Sequence, residues 1–347
     1  MYQYSCMLSA PQRCSLLNIY NAQHNIALGL SELNLLIDSA ICLSNADSSF
    51  PMVVSLHGEV KSCCVVHLSH QEKIRSLGQL SFSILITDGD IYALKFLFSA
   101  IFTEAENRAF FLGEDAVVYG PVHNSILMSR GCRTFLGDPY TYKMPDNIPT
   151  VCDWIMAAGG HKAKDLLEIV YDYDVRDCLL THTDERLLKR MQEVDFTFVQ
   201  QDQIAAECKE LAELYNTAWQ DNWGSSVTTA DEIAAAANNV PNIMGMIARR
   251  NGKIIGFTMM QYVTDSSGKK GRAFLSGVLS EYRQRGLSVV LTSKLSALAI
   301  EKGVKKFSIS WMLEDNNMIV RTMKKITQHG ESHVRHYRIF AIAKKAT

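Results

Sequence analysis

One stretch of the chain, residues 272–317, has the pattern of a strand, a tight loop, a helix and a second strand. Apolar residues at helical spacing predict the helix over about 287–302, and Gly303 follows where a left-handed C-terminal cap is favoured. Strands are predicted over 272–279 and 305–311. This stretch places the chain in the α/β (α+β) class, because the helix must pack on the sheet that its two strands join.

The loop between this first strand and the helix has the composition of an anion site. It spans residues 280–286 and contains Arg283, Arg285 and Gly286. A strand that turns sharply into a helix leaves backbone N–H groups without partners at the positive end of the helix dipole. Gly286 allows a ligand to approach the backbone closely, so a pyrophosphate is the predicted guest. The alternative is a surface loop with two solvated arginines.

The same residues resemble a known family. Arg283-Gln284-Arg285-Gly286-Leu287-Ser288 resembles the Arg/Gln-x-x-Gly-x-Gly/Ala signature of the GNAT superfamily of N-acetyltransferases. The preceding Val278-Leu279-Ser280-Glu281-Tyr282-Arg283 is similar to the pattern Val-x-Pro-Glu-Tyr-Arg. Ser280 replaces the usual proline and Ser288 the usual small residue. Further blocks around Trp219, Trp311 and Tyr337 resemble a subgroup of large tandem GNAT-like bacterial proteins whose substrates are mostly undefined.

This resemblance implies an acyl-CoA co-substrate and direct transfer of an acyl group to an amine. The backbone N–H groups of Val278 and Leu279 are the candidates for binding pantetheine and the oxyanion. The full predicted set for the co-substrate is Val278, Leu279, Arg283, Gln284, Arg285, Gly286, Leu287, Ser288, Asn316 and Asn317.

Three residues are candidates for the proton transfers of such a reaction. Glu314 lies just past the predicted strand 305–311, at the sheet edge where ligands of α/β proteins bind, and is the candidate base. Its alternative role, with Asp315, is to cap the next helix. Tyr337 is the candidate acid, and its alternative role is packing in the last strand. Glu281 is a third candidate, or a solvated loop carboxylate.

Four residues are candidates for binding the acceptor. Trp219 and Trp223 lie in a loop that covers the acceptor in GNAT proteins, and their alternative role is to fill the seam between helix and sheet. His123 and Asn124 lie in a polar turn after Gly120-Pro121. The alternative there is a proline-defined turn whose side chains bond to their own backbone.

The order of predicted elements in the first half repeats the order in the second half. We therefore predict two tandem GNAT-like lobes, residues 1–185 and 190–347, each with a mixed, mostly antiparallel sheet flanked by helices. The first lobe has Asp88 and Asp90 where the second has arginines. Because carboxylates satisfy the helix dipole and repel phosphate, we expect the first lobe not to bind coenzyme A.

Further helices and one turn are predicted outside the stretch 272–317. Helices are predicted within residues 11–45, with Ser31 as an N-cap, over 161–171, and as one continuous helix over 203–218. Residues 171–174 are predicted to form a surface turn.

Composition excludes several classes of function. The 347-residue chain has a net charge of −1, which gives no support to a nucleic-acid partner. Nine cysteines without a C-x-x-C pair predict reduced thiols and a cytoplasmic location. No apolar run is long enough for a transmembrane segment. We expect no metal site, because His333 and His336 would point to opposite faces of a strand.

The acceptor itself is not predicted beyond its class. A small-molecule amine and an amino lipid, the latter with a longer acyl chain, both remain open, as does the oligomeric state. A non-catalytic acyl-CoA-binding regulatory protein is the alternative from another class, because the helix after Asn317 lacks the tyrosine that many GNAT enzymes use as their acid.

Overall fold

The computed structural model of the chain describes residues 1–70, 78–123, 125, 128–136, 144–172, 187–240, 242–265, 268–326 and 332–344. The strands are β1 Tyr2–Ser5, β2 Ser48–Leu56, β3 Glu59–Leu68, β4 Leu80–Thr87, β5 Val117–Gly120, β6 Cys132–Arg133, β7 His161–Asp172, β8 Asp195–Gln200, β9 Ile243–Arg250, β10 Lys253–Asp265, β11 Gly268–Val278, β12 Val304–Leu313 and β13 Ser332–Ala343. The helices are α1 Ala10–His24, α2 Leu30–Cys42, α3 Ile91–Asn107, α4 Thr150–Ala157, α5 Gln201–Ala206, α6 Cys208–Trp219, α7 Ala230–Asn239, α8 Leu287–Glu301 and α9 Asn317–Ile326.

The chain divides into two compact units. The first comprises Met1–Leu166, Trp223–Ser226 and His336–Thr347, and the second comprises Leu167–Asn222 and Val227–Arg335. Each is a mixed sheet flanked by helices, as predicted. The lobe boundary predicted between residues 185 and 190 lies partly outside the described residues.

The sheet of the first unit has the strand order β1-β2-β3-β4-β5-β13, with β6 paired to β13. All its pairs for which a register is defined are antiparallel except β4 with β5, which are parallel and joined through α3. The tight turn between β2 and β3 places His57 and Gly58 at φ 52° and 85°. Left-handed backbone at both central positions matches the twist of the strands, so these two residues form a tight hairpin turn.

Helices cover both faces of this first sheet. On one face α3 and α4 pack through Leu97, Phe98 and Ile155 against strand residues such as Phe82. On the other face α1 and α2 pack against β2 and β3. The buried residues of these two helices are Leu16, Leu33, Ile37 and Ala40.

The sheet of the second unit has the strand order β7-β12-β11-β10-β9-β8. From β8 to β11 the pairs are antiparallel, whereas β11 and β12 are parallel and joined through α8. Asn251 and Gly252, at φ 52° and 79°, form the hairpin turn between β9 and β10.

Two helix layers cover this second sheet. On one face α8 packs through Leu291 and Leu295 against Met260 and Ile309. On the opposite face lies α6, since a Cβ added to Gly277 of β11 would meet Leu214 of this helix at 2.8 Å. The face that carries Gly277 therefore points towards α6.

The helix predicted over 161–171 is wrong, because these residues form β7. Leucine and charged residues favoured a helix, but residues from Asp165 to Tyr171 are all buried, as in a strand covered on both faces. Tyr171 is not in a surface turn, since it is 2% exposed and stacks on Phe307. Residues 173 and 174 lie outside the described part of the chain.

Two further predictions needed correction. The N-cap of α2 is Gly29 and not Ser31, because the Glu32 carboxylate accepts a hydrogen bond from the Gly29 N–H at 2.8 Å. The helix predicted over 203–218 is divided into α5 and α6 by Glu207, whose backbone departs from helical geometry and whose carboxylate pairs with Arg249.

Candidate functional site

The start of α8 is a helix N-terminus without a side-chain cap among the described residues. Gly286 is its N-cap at φ 86° and ψ 4°. Its first turn also contains no acidic residue. The first backbone N–H groups of α8, at the positive end of the helix dipole, are therefore suited to bind an external anion.

A cavity of about 560 Å³ adjoins this N-terminus. Its basic lining residues are Lys189, Arg190, Arg250 and Arg285. Arg250 pairs with Glu193, which also lines the cavity, and this contact raises the pKa of the arginine. The excess of cations makes the cavity favourable for a polyanion.

The segment before β8 forms one wall of this cavity, and the sequence did not point to it. A Cβ added to Gly286 would lie 2.7 Å from Leu187 Cδ2. Lys189 and Arg190 follow after one further leucine. The cluster of positive charge was the one feature of the sequence that could have indicated an anion site here. A charged linker predicts only a solvated surface unless its position in the fold is known.

The arginines of the predicted loop have different positions. Arg285 lines the cavity together with Gln284 and Leu287. Arg283 instead donates hydrogen bonds from Nε to the Val278 carbonyl at 3.1 Å and from Nη2 to the Ala218 carbonyl. In this structure Arg283 therefore holds the loop against β11 and the C-terminal end of α6.

The parallel strands β11 and β12 part before they end. Their pairing stops at Ala273 and Ile309, although β11 continues to Val278. At the same point Phe274 is an extra residue in β11, since Met259 pairs with Leu275 but Met260 with Ala273. A bulge bends its strand, which explains why the two strands diverge here.

The divergence frees backbone groups on one side of β11. Successive residues of a strand direct their N–H groups to opposite neighbours. Because the Leu279 N–H donates to the Ile255 carbonyl of β10 at 3.1 Å, the Val278 N–H points to the side from which β12 has departed. Of the two predicted oxyanion donors, Leu279 is thus already bonded and Val278 faces the opening.

Glu314 follows the end of β12 and is half-buried. Asn316 caps α9, because its Oδ1 atom accepts the Ile319 N–H at 3.3 Å, and both roles considered for Glu314 stay predictions. Asn316 therefore has a structural role at this helix, beside the exposed Asn317. Glu281 is exposed and accepts a hydrogen bond from Ser280 Oγ at 3.2 Å.

Tyr337 belongs to the first unit, where its side chain is packed in the core. It is 1% exposed, and its ring lies edge-on to Phe135 with the centroids 5.9 Å apart. Its role as an acid stays a prediction.

The two tryptophans belong to different units. Trp219 of α6 donates from its indole to the Ser276 carbonyl at 2.7 Å, on the side of β11 that β12 has left. Trp223 lies in the first unit, edge-on to Tyr119. Trp219 is therefore at the opening between β11 and β12, and Trp223 packs elsewhere.

The polar turn of the first unit has a structural bonding pattern. His123 is fully buried, with Nε2 2.7 Å from the Ala40 carbonyl, and its Nδ1 accepts the Ser125 N–H. Asn124 lies outside the described residues.

The first unit offers a matched contrast at the start of α3. Asp90 caps this helix by accepting the N–H groups of Tyr92 and Ala93, and Tyr2 donates to its second carboxylate oxygen at 2.8 Å. Asp88 lies beside it and pairs with Lys61. The anion at this N-terminus is thus the protein's own carboxylate.

Comparisons with known proteins find similarity in the second unit. Residues 208–325 match the model of the GNAT acetyltransferase family. The chain is 25% identical over 166 residues to the bacterial ceramide synthase of Caulobacter vibrioides, which covers 39% of this chain and 42% of that protein. It is 32% identical over 95 residues to an acetyltransferase of Yersinia pestis, and this alignment covers 27% of this chain and 63% of that protein.

Solved structures resemble the chain over its whole length. A tandem GNAT protein from the clavulanic acid biosynthesis pathway aligns with a TM-score of 0.59 at 12% identity and covers 100% of both chains. A GCN5-related N-acetyltransferase from Anabaena variabilis has a TM-score of 0.58 at 12% identity, over 98% of this chain and 72% of that one. At this identity the likeness shows the fold alone, and it supports two GNAT-like lobes.

The chain spans about half the length of the curated relatives it matches, with 42%, 58% and 63% of three of them covered. Within the described ranges, no helix has the length and apolar character needed to cross a membrane.

Proposed function

Because residues 208–325 match the model of the GNAT acetyltransferase family, we propose that the chain is an N-acyltransferase that moves an acyl group from coenzyme A directly to an amine. The observation that carries this proposal is the uncapped N-terminus of α8 beside a basic cavity. A pyrophosphate meets there the two features it requires, free backbone amides and positive charge.

The donor site is assigned to the loop 282–287 and the segment 187–194. Gly286 and the first-turn amides of Leu287 and Ser288 hold the pyrophosphate, while Arg285, Lys189 and Arg190 balance its charge. The Leu187 side chain lies against Gly286, so it moves aside when the ligand reaches the backbone.

The reaction forms a C–N bond and breaks the C–S bond of the thioester. We assign Val278 N–H to the oxygen that gains negative charge, because this amide faces the opening between β11 and β12. Glu314, next to the end of β12, takes the proton that the amine loses. The thiolate takes up a proton as it leaves.

The length of the acyl group divides the proposal into two variants. Transfer of an acetyl group to a small amine is the first. Transfer of a long acyl chain to an amino lipid is the second, and the similarity to a protein named bacterial ceramide synthase favours considering it. A non-catalytic acyl-CoA-binding protein is the alternative from another class.

The experiment is an incubation of the full chain with acetyl-, octanoyl- or palmitoyl-CoA and a panel of amines, with free coenzyme A separated and quantified by chromatography. Chromatography avoids the exposed thiols of Cys14 and Cys42, which would react with a thiol reagent. Both enzymatic readings of the proposal predict that free coenzyme A is released only when an amine is present. The preferred length of the acyl chain separates the two readings. Binding of acyl-CoA without any release would instead favour the regulatory alternative.

A further inference from the structure

A row of polar side chains crosses three strands of the second unit. Gln261 of β10 pairs with Arg272 of β11, and Arg272 pairs with Ser308 of β12. Residues directly opposite one another in neighbouring strands share a face of the sheet. These three side chains therefore form one row, which we name the polar row.

The polar row lies on the face covered by α6. Met260, Ala273 and Ile309 are the neighbours of these residues along the strands and pack with the core that includes α8. Because side chains alternate along a strand, the polar row points to the other face. That face carries Phe257 and Gly277, which approach α6.

The row is buried where an apolar interior is expected. Gln261 and Ser308 are each 2% exposed and Arg272 is 5% exposed. The Arg272 Nε donates to Ser310 Oγ at 2.9 Å, and its guanidinium lies 4.7 Å from the centroid of the Trp311 ring. The cation is thus held in a fixed position inside the unit.

Three donors of this group lack a hydrogen-bond partner among the described residues. They are Gln261 Nε2, Ser308 Oγ and Trp311 Nε1. An unsatisfied buried polar group costs about 1–3 kcal/mol, so several around one row call for an explanation. A ligand that supplies acceptor atoms provides one.

The position of the row connects it to the proposed reaction. Arg272 and Ser308 form the last but one pair before β11 and β12 part. Ser310 and Trp311 continue along β12 beyond that point, and Trp219 lies at the opening. The polar row therefore lies one residue pair away from the point where the strands part.

We propose that the polar row, with Trp311, binds an anionic group, a carboxylate or a phosphate, of the acceptor amine; this inference rests on the proposed function. An amide NH₂, a hydroxyl, an indole N–H and a guanidinium all donate hydrogen bonds, and the guanidinium adds a positive charge. A carboxylate or phosphate can accept hydrogen bonds from Gln261, Ser308 and Trp311 together, close to the positive charge of Arg272.

The test compares three amines that share the 2-aminoethanol skeleton: L-serine carries a carboxylate, O-phosphoethanolamine a phosphate, and ethanolamine neither. We expect one of the anionic amines to exceed ethanolamine about 10- to 100-fold in kcat/KM, the range of hydrogen bonds to charged groups. The favoured member separates the carboxylate from the phosphate. Ethanolamine equal to or better than both would overturn the inference.

Variants assign the preference to the row. Ser308→Ala and Gln261→Met should each reduce the preference for the anionic amine, mainly through KM. Ser293→Ala is the matched control, because Ser293 is also buried and without a hydrogen-bond partner among the described residues, but lies on α8. Equal preference in Ser308→Ala and the wild type would contradict the assignment.

Melting temperatures supply a readout that does not depend on turnover. Ligand-free Ser308→Ala should melt no lower than the wild type, as for Ser293→Ala, since neither hydroxyl has a bond to lose. With coenzyme A bound, an anionic amine should raise the melting temperature of the wild type more than ethanolamine does. If no amine releases thiol, the proposed function fails, and an absent melting shift then rejects the polar row as well.

Discussion

The two parallel crossovers of the chain, β4–α3–β5 in the first unit and β11–α8–β12 in the second, have the same connectivity but opposite chemistry where the helix begins. In the first, Asp90 accepts the amides of the opening turn of α3. In the second, Gly286 leaves the opening turn of α8 uncapped beside a basic cavity.

The difference teaches that a helix N-terminus in a repeated fold becomes a ligand site only if its own loop does not supply the anion. Asp90 places a carboxylate where a phosphate would bind, and Asp88 adds a second one. A negatively charged ligand would meet like charges there and would displace an intact cap. The connectivity is shared, whereas the loop residues determine the binding.

The largest expected effect comes from the two loop glycines. Gly286→Val should weaken coenzyme A binding by more than about 100-fold, or about 2.7 kcal/mol, because the side chain fills the approach to the amides. Gly89→Val is the matched control, since Gly89 also has a left-handed backbone, φ 90°, and a Cβ there would lie 2.7 Å from the Trp154 ring. Both variants should lose stability, but the control should keep its dissociation constant, measured by calorimetry. Equal losses of affinity would remove the distinction between the crossovers.

The second prediction concerns acid pH. Burial lowers the pKa of His123 to about 4 and that of His67 well below its usual range, because the charged ring would be desolvated. In the unfolded chain these two rings therefore take up protons from about pH 6.5 downwards, whereas in the folded first unit they do not. The His123 contribution alone is on the order of 3 kcal/mol, present above pH 6.5 and lost towards pH 4.

Urea denaturation between pH 7 and pH 4.5 measures this loss. Among the described residues both buried histidines lie in the first unit. As the pH falls, the urea midpoint of that unit should therefore decrease before that of the second unit. A probe other than tryptophan fluorescence, placed in the first unit, measures it. His123→Gln keeps a polar side chain and should flatten the pH dependence. A variant as pH-sensitive as the wild type would reject the assignment.

The third prediction separates catalysis from folding in the second unit. Glu314→Gln should lower kcat at least about 100-fold, as expected for a general base, with little change in melting temperature. Glu281→Gln, an exposed carboxylate at the end of the neighbouring strand, is the control and should retain turnover. Near-normal turnover of Glu314→Gln would exclude the role. The same measurement on Tyr337→Phe tests the proposed acid.

The fourth prediction separates the two arginines of the loop. Arg285→Ala should weaken coenzyme A binding about tenfold, because Arg285 acts through its charge in the cavity. This loss of affinity should be smaller at high salt, where the charge is screened. Arg283→Ala should instead lower the melting temperature, since it removes two bonds to backbone carbonyls. The reverse pattern would show that the loop rearranges when the ligand binds.

The smallest effect belongs to the cap of the first unit. Asp90→Ala should cost about 1 kcal/mol of stability, typical for a lost N-cap, and leave the affinity for coenzyme A unchanged. Thermal unfolding and calorimetry of the same preparation test both parts. A gain of a second binding event in this variant would show that the carboxylate had blocked a competent site.

Local chemistry made much of this comparison predictable from the sequence. The hairpin at Asn251-Gly252, the helix after Gly286 and the acidic loop before α3 each depend on residues close together in the chain. The strand β7 was missed, because its pattern resembles a helix until strand pairing buries both faces.

Parts of the candidate site could not be predicted, because they depend on contacts between residues far apart in the sequence. The approach of Leu187 to Gly286 and the bonds of Arg283 to two distant carbonyls join residues far apart in sequence. The polar row depends on the register of three strands, since a shift by one residue would turn Gln261 or Ser308 to the opposite face.

The stoichiometry of coenzyme A binding tests the central claim most directly. Calorimetric titration of coenzyme A into the full chain should give one site per chain, located in the second unit and absent in Gly286→Val. Two equivalent sites per chain, or one site that persists in Gly286→Val and disappears in Gly89→Val, would contradict it.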